Sequence, residues 1–433
     1  MTEAPQRDSD IDLIKGIACL VMVFGHTGFY LSYPVKHPPD LAPTWIIAEC
    51  SLALFFMATG MNVIHYVRHN EKKRGWGPTQ TYLITNLLLF ICGFVYNLNR
   101  QSLGLMDLFQ GIAVAAFLTY VVFRRNWPSW AIVIIALEMF AISFGYALEE
   151  GHWAARGIPL DDGYIAVSIE EFQKSLLPNA AHPGLQAKYL AFLSEMQAFP
   201  FVERLLMIHF SVIPWAGCAL LGGVIMRHAK TRWEWILWAL FLLILVASLI
   251  FPFFLARNIV DYFFRGKPDY VLRHAGIAGL LALTARRLYI SRGKVGPWVE
   301  FIGRESFLVF ILQWIFIEFL VTIFPHKAIL PVLLALTGAI YALMTLSARY
   351  LAKKRDAGMD NPAYAKKWFS IMIISALVTA WLHYGSGSLT GVNLGHLVSF
   401  VSCIAFAMAF PSLRSVLRKK PRPARATTGG TGT

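Results

Sequence analysis

The chain has 433 residues, of which 57% are hydrophobic and only 15% charged, a balance that excludes a soluble globular core. The net charge of +14 would suit a nucleic-acid binder, but its distribution excludes that partner. With the N-terminus taken as cytoplasmic, about 28 Lys and Arg fall in inside segments and about 11 in outside segments, the positive-inside bias of a membrane protein. The five cysteines (Cys19, Cys50, Cys92, Cys218, Cys403) lie in apolar runs with no paired or ligand-type spacing, so neither a disulfide framework nor a metal site is expected.

Apolar runs of roughly 20 residues recur along the chain, each long enough to cross a ~30 Å hydrocarbon layer. They fall near 12–31, 44–67, 79–97, 105–123, 129–148, 206–226, 235–256, 270–290, 301–321, 328–348, 368–384 and 394–410. The expected fold is an all-α polytopic membrane protein of about 10–12 transmembrane helices. Residues 1–411 form one transmembrane domain, with 149–205 as a long extracytoplasmic loop that holds room for short helices at 165–177 and 186–198. Residues 412–433 form a basic, disordered cytoplasmic tail facing the anionic inner leaflet. Asp8, Asp10 and Asp12 precede the first run and no small-residue cleavage site follows, so that run is expected to remain as a helix.

The first run carries Lys15 and His26, eleven residues apart. At 100° per residue that spacing is three turns plus about 20°, so the two share one helix face, about 16 Å apart along the axis. Lys15 sits near the membrane edge and His26 well inside, where an ionisable residue is costly and points to function. A cation at the edge and a base one pantetheine arm further in suit acyl-coenzyme A: the phosphates meet the cation and the thioester reaches the imidazole. Arg7, Asp12 and Lys15 also read as interfacial caps of the helix.

His37 lies in the loop Tyr33–Pro39, and Glu49 enters the second run. A carboxylate beside a histidine orients the ring and raises its basicity, as acyl transfer requires. Later polar residues invite either function or anchoring. Asn97, Asn99 and Arg100 end the third run, and His209 precedes Pro214-Trp215. Arg273 and His274 open the eighth run, where an arginine either holds an anionic acceptor or snorkels. Gln313 hydrogen-bonds across helices, and His383 reads as structural. No phosphate loop, Gly-x-Ser-x-Gly elbow or heptad array stands out.

The pattern Arg7…Asp12-Leu13-Ile14-Lys15-Gly16-Ile17-Ala18 with His26 resembles the first helix of the membrane acyltransferase superfamily. That group includes the heparan-α-glucosaminide N-acetyltransferase-like and acyltransferase-3 proteins. Lys15 stands where the superfamily has Arg, a point charge in place of a bidentate fork. Lys36-His37, and Glu49 with Gly60, resemble the outer loop and second helix of the glucosaminide N-acetyltransferase branch. Phe210–Gly223 around Pro214-Trp215, Asp107–Ala113, and Ile302–Leu308 with Gln313 resemble later helices of the group.

The resemblance implies an acyltransferase that moves an acyl group, acetyl foremost, from cytosolic acetyl-CoA to a hydroxyl or amine of a carbohydrate or glycolipid outside. Arg7, Lys15 and Arg304 are expected at the coenzyme A phosphates, and His26, His37 and Glu49 at the chemistry. His209, Trp215, Arg273 and Gln313 are expected along the acceptor path. The expected setting is a bacterial inner membrane with both termini cytoplasmic, and oligomerisation is left open. The rival reading is a transporter or flippase without acyl chemistry, which matched unwound segments in two internal repeats would have favoured.

Overall fold

A computed structural model describes residues 9–32, 42–70, 76–97, 108–155, 212–228, 231–250, 268–288, 296–323, 330–358, 361–382 and 389–418. Among them are thirteen α-helices and no strand. The helices are α1 (Ser9–Ser32), α2 (Ala42–Asn70), α3 (Trp76–Asn97), α4 (Leu108–Arg124), α5 (Ser129–Ala155), α6 (Val212–Arg227) and α7 (Trp233–Ile250). They continue as α8 (Pro268–Leu288), α9 (Gly296–Arg304), α10 (Ser306–Ile323), α11 (Leu330–Gly358), α12 (Pro362–Ala380) and α13 (Leu389–Arg418). The chain is an all-α polytopic membrane protein. Ser9–Gly28, Cys50–His69 and Leu330–Gly358 are long and apolar enough to cross a bilayer on length and composition alone, and seven shorter apolar helices accompany them.

Two helices form the centre. α1 packs against α2, α8, α9, α10 and α11, and α2 packs against α1, α4, α6 and α8. The second helix is accordingly buried without interruption from Cys50 to Ala58. Gly60 and Gly222 let α2 and α6 meet backbone to backbone: a Cβ on Gly60 would strike the Ala219 carbonyl, and one on Gly222 the Met57 carbonyl. Close approach through small residues is how helices associate where lipid supplies no hydrophobic drive. The outer helices turn apolar side chains away from the protein. Trp235, Ile236, Leu242, Leu243 and Leu249 of α7, Ile374 and Leu377 of α12, and Trp381 just after it, are exposed. A polar solvent would penalise such a surface, whereas lipid accepts it.

Short turns gather at the end where α1 begins. α4 closes on Asn126, whose φ of 56° puts it in the left-handed region that caps helices, with Pro128 following before α5. Asn361 caps α12, its side chain accepting from the Ala363 N–H at 2.9 Å, and Pro362 takes the first helical position. Arginines tie these turns together. Arg68 donates to the Met226 and Arg227 carbonyls at 3.4 and 3.0 Å, Arg227 to the Trp127 carbonyl, and Arg286 to the Ile225 carbonyl at 3.2 Å while approaching Asp10 at 3.7 Å. These basic groups bond helix-terminal carbonyls that would otherwise lack partners.

His228 belongs to this belt, with Nε2 at 2.7 Å from the Ser129 hydroxyl. Partial burial, then the charges of Arg227 and Arg68, hold its pKa below 6.5. The folded protein therefore favours the neutral ring, and the resulting stability is present above the unfolded value of 6.5 and lost as pH falls through the folded one. Thermal unfolding followed by intrinsic fluorescence should show a midpoint that declines between pH 7.5 and about 5, with a shallower decline in His228→Gln. A variant profile parallel to wild type would remove His228 from that effect.

The structure departs from the sequence reading in two places. The expected helix at 301–321 is divided at Glu305 into α9, which begins at Gly296 and lies against α1, and α10. The hydrogen-bond ladder still crosses the division: the Glu305 N–H donates to the Phe301 carbonyl at 3.0 Å, and the Glu305 carbonyl accepts from Val309 at 2.9 Å. The other departure is the C-terminal segment, where α13 runs through Arg418, past the expected start of the basic tail. The expected helices at 165–177 and 186–198 lie outside the described residues.

Candidate functional site

Lys15 and His26 both lie on α1, and both are half-buried. Two turns of α10 beyond Glu305 bring Gln313 and Trp314 to His26. Gln313 Oε1 is 3.4 Å from His26 Nδ1, and its amide N–H₂ points to Met22 Sδ at 3.6 Å. The indole of Trp314 lies against the imidazole, centroids 4.7 Å apart and planes tilted by 34°. Gln313 is fully buried and Trp314 nearly so, which fixes both side chains. When the amide oxygen accepts, His26 donates through Nδ1–H and keeps the lone pair on Nε2. That is the tautomer of an imidazole ready to take a proton or attack a carbonyl.

The other end of α1 meets α9. Gly16 gives room to the Val299 backbone, and Gly303 lies against the Asp12 carbonyl and the Gly16 N–H, so neither position admits a Cβ. The glycine after Lys15 is thus required by packing, and its contact sets Arg304 beside the first turns of α1. Arg304 is 49% exposed and approaches Glu305 at 3.5 Å through Nε. Lys15 and Arg304, expected at the same phosphates, therefore share one end of the bundle, with His26 deeper along α1. Along α1 the Lys15 cation and the His26 imidazole are separated by about 16 Å.

The remaining expected residues are placed as follows. Trp215 is fully buried and stacks on Phe56, centroids 6.1 Å apart, inside the α2–α6 contact. In this position it fills the core. Arg273 is half-buried in α8 beside fully buried His274. α8 begins at the His26 end, because its other end reaches Asp10 through Arg286. Glu49 falls within α2, with its side chain outside the described residues. Arg7, His37, His209 and His383 lie outside the described residues altogether. Among the described residues no group of three or more His, Cys, Asp or Glu gathers as a metal site requires.

Sequence reasoning missed several participants. Trp314 follows Gln313 directly, and a tryptophan one position from a buried amide was the only signal it offered. Glu305 is the larger omission. It is 4% exposed, and Arg355 at the far end of α11 grips both of its oxygens, Nη1 to Oε2 at 2.7 Å and Nη2 to Oε1 at 3.0 Å. Arg355 also donates to Asp356 through Nε at 3.1 Å.

No curated protein matches the chain. A family profile described as an acyltransferase domain matches residues 8–349, a stretch that begins at α1, ends within α11 and takes in His26, Gln313 and Trp314. With its helical membrane architecture and this match over most of its length, the chain belongs to the acyltransferase-3 family of membrane acyltransferases.

Proposed function

We propose that this acyltransferase takes an acetyl group from acetyl-CoA at the cytoplasmic end of the bundle and transfers it to a hydroxyl or amine of a carbohydrate or glycolipid at the opposite end, in a bacterial inner membrane with both termini inside. The observation that carries the reading is the α1 face. An imidazole locked by Gln313 and Trp314 lies about 16 Å from a cationic end made by Lys15 and Arg304. Acyl-coenzyme A carries its negative charge at one end and its thioester at the other, and this face matches both.

His26 Nε2 takes the proton of the acceptor hydroxyl or amine as that atom attacks the thioester carbonyl. The carbon–sulfur bond breaks, the acyl group passes to the acceptor, and the coenzyme A thiolate leaves toward the cationic end. Gln313 keeps the Nδ1–H tautomer, and Trp314 keeps the ring from rotating. His37 and Glu49 are assigned to the acceptor side, where Glu49 orients a histidine, and Arg273 lies at the same end of the bundle.

The test uses purified protein in nanodiscs with radiolabelled acetyl-CoA. We expect saturable binding, slow hydrolysis without acceptor, and binding weakened about tenfold in Lys15→Ala, the size of one charge-assisted phosphate contact. A folded, monodisperse wild type that fails to bind acetyl-CoA would overturn the reading.

A further inference from the structure

α5 turns one stripe toward the bundle. Ile132, Ala136 and Phe140, spaced by four, are buried, and Gly217 of α6 fits against the Ala136 carbonyl and the Phe140 ring. The opposite face carries Trp130, Ile134, Leu137, Ala141 and Ile142, all exposed. Apolar side chains on that face suit lipid.

Glu138 breaks the pattern. It follows Ala136 by two positions, about 200° around the helix, so it leaves on the side away from α6. It is exposed, and neither a hydrogen bond nor an ion pair reaches it among the described residues. Trp127 and Trp130, both exposed, mark the membrane interface at the start of α5. Glu138 lies about 12 Å deeper than Trp130 along the axis, well inside a hydrocarbon layer of about 30 Å. Other helix carboxylates find arginines within the chain: Arg355 holds Glu305, and Arg287 approaches Glu234 at 3.3 Å. A carboxyl group that faces lipid unpartnered is a standing cost, which a polar group from a second molecule at the same depth removes.

The group itself selects that molecule. A carboxylic acid carries a donor and an acceptor, so it is complementary to a copy of itself. Two copies of one membrane protein share an orientation. A two-fold axis along the membrane normal therefore sets each residue of an interface helix near its own counterpart. α5 has the shape for this. Ile134, Glu138, Ala141 and Gly145 lie within about 60° of one another on the outward side. Ala141 and Gly145, four apart, have the small-residue spacing through which membrane helices come close. We infer that the outward face of α5 is the interface of a homodimer, with Glu138 hydrogen-bonded to the partner subunit's Glu138 and with Ala141 and Gly145 at the closest approach.

The experiment uses the full chain in proteoliposomes of phosphatidylcholine and phosphatidylglycerol, with a lipid-permeable oxidant. Ala141→Cys reports the interface, and Ile374→Cys, on the exposed face of α12, reports random collision. The five native cysteines are buried, so wild type should give no cross-link. Ala141→Cys should form a covalent dimer about tenfold faster than Ile374→Cys. Adding Glu138→Leu to Ala141→Cys should slow the reaction about tenfold, the effect of one interhelical hydrogen bond. Glu138→Gln, whose amide is also self-complementary, should restore most of the rate. Because Glu138 bonds to no group of its own chain, Glu138→Leu should keep the thermal midpoint of wild type in detergent, which separates lost pairing from lost folding. Equal rates for the two cysteine variants would leave the face to lipid and overturn the interface. A Glu138→Leu protein that links as fast as its parent would overturn the role of the carboxyl pair, and with it the inference.

Discussion

Replacing His26 with Ala is expected to lower acyl transfer about 10²–10⁴-fold, the range that loss of a positioned general base produces. Donor affinity should change little, because the cationic end made by Lys15 and Arg304 is untouched. Gln313→Leu should act through the same ring. It removes the acceptor of the Nδ1–H bond at 3.4 Å and leaves the imidazole free to take either tautomer against Trp314. Its expected cost is smaller, about tenfold to a hundredfold in kcat with the KM for donor unchanged, since an orienting partner contributes less than the group it orients. Gln313→Glu keeps an acceptor oxygen and should restore part of the rate. Steady-state kinetics with varied donor would separate these cases. A Gln313→Leu enzyme that raises KM without lowering kcat would mean that Gln313 binds substrate and does not position His26.

The halves of this site were unequally visible in the sequence. The pairing of Lys15 with His26 follows from helical geometry alone, because eleven residues return to the same face. The partner of His26 does not follow, since Gln313 stands 287 positions later and helical periodicity says nothing of which helix is its neighbour. Gln313 on its own announced only a buried amide in need of a bond. Gly16 shows how a motif can carry two meanings: beside Lys15 it reads as part of a binding signature, and in the structure it is the surface on which α9 seats Val299. Trp215 shows the converse. Its Pro-Trp context suggested a place along the acceptor path, yet it stacks on Phe56 at the α2–α6 contact, where Gly60 and Gly222 bring the backbones together. A tryptophan followed by small residues in an apolar run encodes close packing as readily as a binding surface.

The Glu305–Arg355 pair is expected to govern stability more than any other single contact at this end of the bundle. Arg355→Gln leaves a carboxylate that is 4% exposed without its bidentate partner, and the loss of one member of a buried pair costs about 3–5 kcal/mol. Glu305→Gln should cost less, because Arg355 is nearer the surface and retains Asp356 at 3.0 Å. The double change, which strands neither charge, should be milder than Arg355→Gln alone. Thermal unfolding of the four proteins in detergent would give the cycle. Equal losses in the two single variants would mean that the carboxylate is better solvated than its burial indicates. A functional consequence follows from the third member of the cluster. Arg304 already approaches Glu305 at 3.5 Å, and with Arg355 gone it becomes the only arginine of the described cluster left to neutralise that carboxylate. Arg355→Gln should then raise the KM for donor while leaving kcat near wild type, because the cation is withdrawn from the phosphate end and His26 keeps its setting. A residue lying beyond the matched acyltransferase region would thereby control donor affinity through charge competition alone.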